Sequence, residues 1–142
     1  MRFVLDNSVT MRWLLGDGSA SDQAYARHVL SVIVDGNVLV PGIWSLEVAN
    51  VIARAEKKYG LPEARSAEFV HLLHQMHIEV DPQTSVHALN DTLQLARRYN
   101  LSAYDAAYLE LTLREGLALA TLDDGLVKAA KKAGAKRLTL KS

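Results

Sequence analysis

Phe3-Val4-Leu5-Asp6-Asn7-Ser8-Val9 sets an acid directly after a run of large apolar residues. Consecutive apolar residues without alternation describe a strand buried on both faces, and Asp6 then stands at its carboxyl end. Asp-Asn-Ser is also ordinary turn and capping chemistry, so taken alone this stretch is equally a strand that ends in a turn. Ser8 is the simplest N-cap for a helix over Val9 to Leu15. That cap would aim a helix N-terminus, which favours negative charge, toward whatever gathers at the strand end.

The same grammar returns along the chain. Val38 to Val40 is a short apolar run before Pro41-Gly42, Ile78 to Val80 is stopped by Pro82, and Leu117 to Ala120 and Arg137 to Leu140 supply a fourth and a fifth candidate strand. Between them lie helical patterns from about Ser21 to Val34, Ile43 to Lys58, Pro62 to Met76, Val86 to Tyr99, Ala103 to Glu115 and Asp123 to Ala133. Gly60 separates two of these, and Gly134 ends the last. Strands alternating with helices predict an α/β fold: a single-domain α/β/α sandwich with a mainly parallel, five-stranded sheet. Ligands of such sheets bind outside the carboxyl ends of the strands, at a switch in strand order. Asp6 follows the first strand and Asp123 the fourth, which places both at that end.

The chain has 142 residues. That length predicts one domain, 1–142, able to bury roughly 68–70% of its unfolded surface without disulfide or structural metal. Cysteine is absent, which fits a reducing cytoplasm. Asp6 comes too early for a signal peptide, and no apolar run approaches the ~20 residues of a membrane span, so a soluble cytoplasmic protein is expected. Net charge is zero, and bulk charge therefore does not advertise nucleic-acid binding. From Lys128 onward, however, Lys131, Lys132, Lys136, Arg137 and Lys141 occur with no acid among them. They read as a solvated helix face and tail, or as a phosphate-facing edge.

Two more acids interrupt core-type sequence. Glu47 lies in the apolar stretch Ile43 to Ala55, and Glu47, Asn50 and Arg54 are spaced as one polar stripe of a helix, which a solvated face would equally explain. Asp105 sits in Leu101-Ser102-Ala103-Tyr104-Asp105-Ala106-Ala107-Tyr108, where Ser102-x-x-Asp105 nearly forms a capping box. Thr121-x-x-Asp124 is box-like too, which would assign Asp124 to capping and leave Asp123 as the ligand. The five histidines, His28, His71, His74, His77 and His87, show no metal-binding spacing. Carboxylates are rarely buried without a partner. Asp6, Glu47, Asp105 and Asp123, each beside core-type sequence, suggest one shared partner, and oxygen-only ligands point to a hard cation, Mg2+ or Mn2+.

Together, Val4-Leu5-Asp6-Asn7-Ser8-Val9, Pro41-Gly42-Ile43-Trp44-Ser45-Leu46-Glu47-Val48-Ala49-Asn50, the segment from Leu101 to Tyr108, and Leu119-Ala120-Thr121-Leu122-Asp123 resemble the PIN-domain nucleases, and among them the VapC-type toxins of toxin–antitoxin pairs. The resemblance implies Mg2+- or Mn2+-dependent cleavage of RNA, with transfer or ribosomal RNA as possible substrates. It carries over Asp6, Glu47, Asp105 and Asp123 as the acidic set, with Ser8, Thr121 and Asn50 in support. Asp6, Asp105 and Asp123 would bind metal, and Glu47 would bind it or orient a water. Asn7 departs from the family pattern, where a smaller residue is commoner. A cognate antitoxin is implied as partner, as is a homodimer. The helices Val9 to Leu15 and Ile43 to Tyr59 are candidates for the antitoxin contact, with Trp13 and Trp44 as possible anchors and core packing the simpler role for Trp44.

Other readings compete. A non-catalytic PIN-like domain that binds RNA or protein would share the fold, and metal-dependent activity separates the two. A haloacid-dehalogenase-like enzyme would begin Asp-x-Asp, but position 8 is Ser8. A receiver domain needs an acidic cluster where this chain has one N-terminal acid. No GxGxxG or GxxxxGK[ST] supports a nucleotide site.

Overall fold

The computed structural model describes residues 2–33 and 37–139. The chain runs β1 (Phe3–Leu5), α1 (Asn7–Leu15), α2 (Ala20–Ile33), β2 (Val38–Val40), α3 (Trp44–Tyr59), α4 (Glu63–Gln75), β3 (Ile78–Val80), α5 (Thr84–His87), a π-helical turn (Ala88–Thr92), α6 (Leu93–Tyr99), α7 (Ala103–Glu115), β4 (Ala118–Ala120), α8 (Asp124–Ala133) and β5 (Lys136–Arg137). The five strands form one sheet in the order β3-β2-β1-β4-β5, and every pairing is parallel. Right-handed crossovers put the helices preceding β3 on one face and those following it on the other. Packing agrees, since α1 meets α2 and α3, whereas α7 meets α6, α8 and the central strands. This is the α/β/α sandwich expected from the alternation.

The central strands β1 and β2 are buried throughout, because helices cover both faces. β3 is not: it lies at the sheet edge, carries Glu79 and is largely exposed. The last strand is also shorter than the sequence suggests. β5 is Lys136–Arg137, Leu138 follows it into the core, and Leu140 lies outside the described residues, as does Val34 at the end of the second helical pattern. The helix read from Val86 begins at Thr84 and widens through its π-helical turn before continuing as α6. Gly16, Gly60, Gly116 and Gly134 end α1, α3, α7 and α8 in the left-handed conformation, at φ 63°, 68°, 65° and 84°, where a side chain would be strained.

Two capping assignments from sequence are corrected. Ser8 is not the N-cap of α1. The helix begins at Asn7, Asp6 occupies the cap position, and the Ser8 hydroxyl is engaged elsewhere. At α8 the capping acid is Asp123, whose Oδ2 accepts from the Leu126 N–H at 2.8 Å, and Asp124 is the first helical residue. α1 thus starts two residues earlier than a Ser8 cap implies, and α8 two residues later than a Thr121 cap would place it. Ser102 does cap α7, accepting from the Asp105 N–H at 3.1 Å.

The second crossover layer is fastened by Arg114 near the end of α7. Its guanidinium donates to Glu110 at 2.7 and 3.0 Å and to Asp81, just beyond β3, at 2.7 and 3.3 Å. Both carboxylates are 6% exposed and Arg114 is 20% exposed. Removing one partner of such a pair strands buried charge. Arg114→Met is therefore expected to lower unfolding stability by about 3 kcal/mol, measured by denaturant titration at neutral pH. A loss under about 1 kcal/mol, the worth of a surface pair, would show that the network contributes little.

Candidate active site

The strand order reverses between β1 and β4, and their carboxyl ends lie side by side. The Asp6 N–H donates to the Ala120 carbonyl at 2.9 Å, which extends the sheet by one bond and sets Asp6 beside Thr121. Asp6 is 5% exposed and Thr121 is fully buried. The Asp6 carboxylate survives there because two hydroxyls converge on its Oδ2: Ser8 Oγ at 2.5 Å and Thr121 Oγ1 at 2.8 Å. Each hydroxyl also accepts a backbone N–H from the following loop, Ser8 from Leu122 at 3.0 Å and Thr121 from Asp123 at 3.0 Å. One buried carboxylate thus fixes the loop that carries another. Ser8 and Thr121 stand where the resemblance implies they support Asp6.

Glu47 projects from the first turn of α3 and is half-buried. Its Oε1 accepts from the Tyr108 hydroxyl at 2.5 Å. In the sequence Tyr108 is marked only as the last residue of the Leu101-to-Tyr108 segment. Its spacing from Asp105, one helical turn along α7, was the available signal, because residues three apart share a face. Burial, Asp6 and Glu47 all raise the Tyr108 phenol above its ordinary value, so it stays a donor. Asn50 is exposed on α3, and no hydrogen bond joins it to the acids. Trp44 is a core residue, 6% exposed with its indole N–H 3.2 Å from Thr10 Oγ1, and so cannot anchor a partner. Asn7 Oδ1 is buried without a hydrogen-bond partner, a local cost of the departure noted above.

The four acids sense one another. Burial raises Asp6 above the usual carboxylate range, opposed by the bonds from Ser8 and Thr121, and Asp123 raises it further. Burial raises Glu47, opposed by Tyr108, with Asp6 and Asp105 adding to the rise. Burial, Asp123 and Asp6 push Asp105 up to about 6. Asp124 appears in none of these couplings, which supports Asp123 as the fourth member of the set. All four also stand at helix N-termini: Asp6 and Asp123 at the caps of α1 and α8, Glu47 and Asp105 in the first turns of α3 and α7. Positive helix ends favour negative charge, so four macrodipoles offset part of the mutual repulsion.

The donor set is oxygen only and electron-rich, which fits a hard divalent cation. The spacing is open. Among the described residues, the place where three candidate ligand atoms lie within 4.8 Å of one another is a different set, His87, Asp91 and Glu110. Both oxygens of Glu110 are already taken by Arg114 there, so that set is satisfied as an ion-pair network. Mg2+ keeps several waters and takes one or two carboxylates together with substrate phosphate, which suits the wider spacing of the four acids. A cleft of ≈ 480 Å3 between α6 and α7 includes none of them. Exposure instead grades from buried Asp6 through half-buried Glu47 and Asp105 to exposed Asp123, an open site suited to a polymer.

The PIN-domain family matches residues 3–132. The chain belongs to the PIN-domain family. Among solved structures it is similar to PAE2754 from Pyrobaculum aerophilum, at 21% identity and TM-score 0.65, covering 96% of this chain and 92% of that one. It is also similar to VapBC2 from Rickettsia felis bound to a DNA fragment from its promoter, at 13% identity and TM-score 0.66, covering 97% and 98%. FitAcB from Neisseria gonorrhoeae matches at 18% identity and TM-score 0.53, covering 99% and 98%. At these identities the likeness is one of fold. No curated protein matches this chain in sequence. Among the described residues, no helix is long and apolar enough to cross a membrane.

Asp105 gives the crowding of this PIN site a thermodynamic signature. An unfolded aspartate titrates near 3.9, and the folded one near 6. The folded state therefore binds this proton more tightly, and the stability that results is full below about pH 4 and lost as pH rises through 6. In chelator, Asp105→Asn is expected to match the parent in Tm near pH 4 and to melt above it at pH 7. Parallel melting curves from pH 4 to 7 check this, and a difference independent of pH would contradict it. Asp6→Asn is a less clean probe, since it also disturbs the Ser8 and Thr121 hydroxyls.

Proposed function

We propose that this protein is a divalent-metal-dependent endoribonuclease and the toxin of a toxin–antitoxin pair, acting in the cytoplasm and pairing with a second copy of itself. The observation that carries the reading is the electrostatic coupling of Asp6, Glu47, Asp105 and Asp123 at the switch point of a PIN sheet. An RNA phosphate is repelled by four carboxylates, so a substrate of that charge requires a cation between them. Asp6, Asp105 and Asp123 would hold Mg2+ or Mn2+, with Glu47 a further ligand or the group that orients water. A bound ion would supply Lewis acidity toward the phosphate and acidify water. The protein contributes position. Ser8 and Thr121 fix Asp6, the Thr121 hydroxyl fixes the backbone of Asp123, and Tyr108 fixes one oxygen of Glu47, leaving Oε2 to orient a water.

The deciding experiment is incubation of a mixed pool of transfer and ribosomal RNA with purified protein in Mn2+ or Mg2+. Discrete cuts are expected, absent in chelator and reduced at least 100-fold in Asp6→Asn and Asp105→Asn, in keeping with the loss of a metal-held catalytic group. Cleavage that persists in both variants would mark a contaminant. Folded protein with neither cleavage nor metal binding would support a PIN-like module that only binds RNA or protein.

The antitoxin reading rests on a cleft of ≈ 340 Å3 between α1 and α4, lined by Trp13, Leu14, Arg65, Glu68, Phe69 and Leu72. Trp13 is half-buried, with its indole N–H on the Ala26 carbonyl at 2.8 Å, and Leu72 is 48% exposed. Apolar side chains flanked by both charges suit the apolar face of an amphipathic helix. This reading keeps α1 from the helices named in the sequence and adds α4; α3, whose Leu46 and Tyr59 are also exposed, is the alternative face. Coexpression with the adjacent reading frame is expected to yield a complex that Leu72→Asp dissolves while RNA cleavage is kept. A complex indifferent to Leu72→Asp would place the antitoxin elsewhere.

A further inference from the structure

Arg137 belongs by sequence to the basic run of the C-terminal region, yet it does not behave like its neighbours. Lys128, Lys131, Lys132 and Lys136 are exposed, as a solvated face requires, and Lys141 lies outside the described residues. Arg137 is half-buried and turns inward from β5. Its Nε and Nη2 both donate to the Thr121 carbonyl, at 3.0 and 2.8 Å. Its guanidinium lies 4.1 Å from the ring centroid of Tyr25, which is 3% exposed. The Tyr25 hydroxyl in turn donates to the Leu138 carbonyl at 2.5 Å, one residue beyond Arg137. A tyrosine of α2 thus holds the guanidinium flat and the strand that carries it in place.

Thr121 is the residue on which this brace acts, and it is also the hinge of the acidic site. Its hydroxyl donates to Asp6 and accepts from the Asp123 N–H. The charges that move Asp6, Glu47 and Asp105 are those of the other acids, and Arg137 is not among them. Its influence is therefore geometric. We propose that Arg137, stacked on Tyr25, is a positioning residue that locks the Thr121 peptide and so sets the separation of Asp6 and Asp123 for a shared divalent cation. The inference rests on the nuclease reading of that site. A planar fork with two donors at a fixed angle holds one carbonyl in one orientation, which a lysine ammonium on a flexible stem does not. Groups that orient metal ligands commonly change metal affinity by roughly 10- to 100-fold when removed.

Calorimetric titration of Mn2+ into the full chain, beside steady-state cleavage of RNA, tests this. Arg137→Lys is expected to weaken Mn2+ binding about tenfold and to lower kcat at limiting Mn2+ while leaving KM for RNA unchanged. Added Mn2+ should restore much of the lost rate. Lys136→Ala, which removes an exposed neighbouring charge, should leave Mn2+ affinity unchanged. Tyr25→Phe keeps the ring and loses only the Leu138 bond, and a smaller weakening of Mn2+ binding is expected. A lower Tm with unchanged Mn2+ affinity would overturn the proposal and leave Arg137 a structural residue. A raised KM with unchanged Mn2+ affinity would overturn it in favour of an RNA-facing cation. If Arg137→Lys does not fold, Tyr25→Phe decides, and unchanged affinity there overturns the proposal. A parent that binds no Mn2+, or binds it equally after Asp6→Asn, overturns the nuclease reading itself and this inference with it.

Discussion

A carboxylate at the end of the central strand has to be satisfied without leaving the core, and much of the site's local structure follows from that need. Asp6 sits where β1 and β4 part, almost wholly removed from water. Burying an ionised carboxylate without compensation costs several kcal/mol even after relaxation. The compensation is local and branched: two hydroxyls on one oxygen, each tied by a second bond to the backbone of the loop after β4. The hydroxyls that offset the burial of Asp6 therefore also order the segment that places Asp123. The remaining acids arrive on helices whose first turns point at the same end of the sheet.

The arrangement balances repulsion rather than removing it. Helix N-termini, hydroxyls and the Tyr108 phenol each favour charge on one acid, yet Asp6, Glu47 and Asp105 all remain shifted toward protonation. A site relaxed for its own sake would replace one acid by an amide. Keeping all four holds a reservoir of unfavourable energy that the proposed divalent cation would relieve on binding, and a ligand that binds only the native state would stabilise it by that route. Stability and metal affinity would then be one quantity seen from two sides. The contrast with Arg114 is instructive, because there the buried carboxylates have their cation built in.

The sheet was legible because its strands are short apolar runs punctuated by Pro, Gly and Asp, and buried parallel strands have few other ways to be written. Asp6 and Asp123 were legible as strand-end acids for the same reason. Glu47 and Asp105 were not separable from a polar stripe and a helix cap until the four segments were taken together, since one helix does not show a partner carried by another element. The caps were misassigned because Ser8 fits a simple N-cap and Thr121 with Asp124 a box pattern, whereas the buried carboxylate of Asp6 outcompetes the helix for the hydroxyls of Ser8 and Thr121. Long-range pairings left no periodic trace. Arg114 with Asp81, Tyr108 with Glu47 and Arg137 with Thr121 each join elements distant in sequence, and each looks in one dimension like an ordinary surface or core residue.

Arg137 shows how such a pairing changes what a charge means. In the sequence it is one cation in a basic run, and the natural partner for a basic run in a nuclease is phosphate. In the fold its donors are spent on a carbonyl and its face on a ring, so little of it is left to meet RNA. The exposed lysines of α8 keep that role open, since they stand on the helix that Asp123 caps. A division of labour follows from geometry alone. The point charges that remain hydrated can meet a mobile polyanion, while the one planar, weakly hydrated cation is used where a single orientation must be held. The order of β5 is thereby coupled to the acid site through one peptide group, although the short edge strand contributes no acid to it.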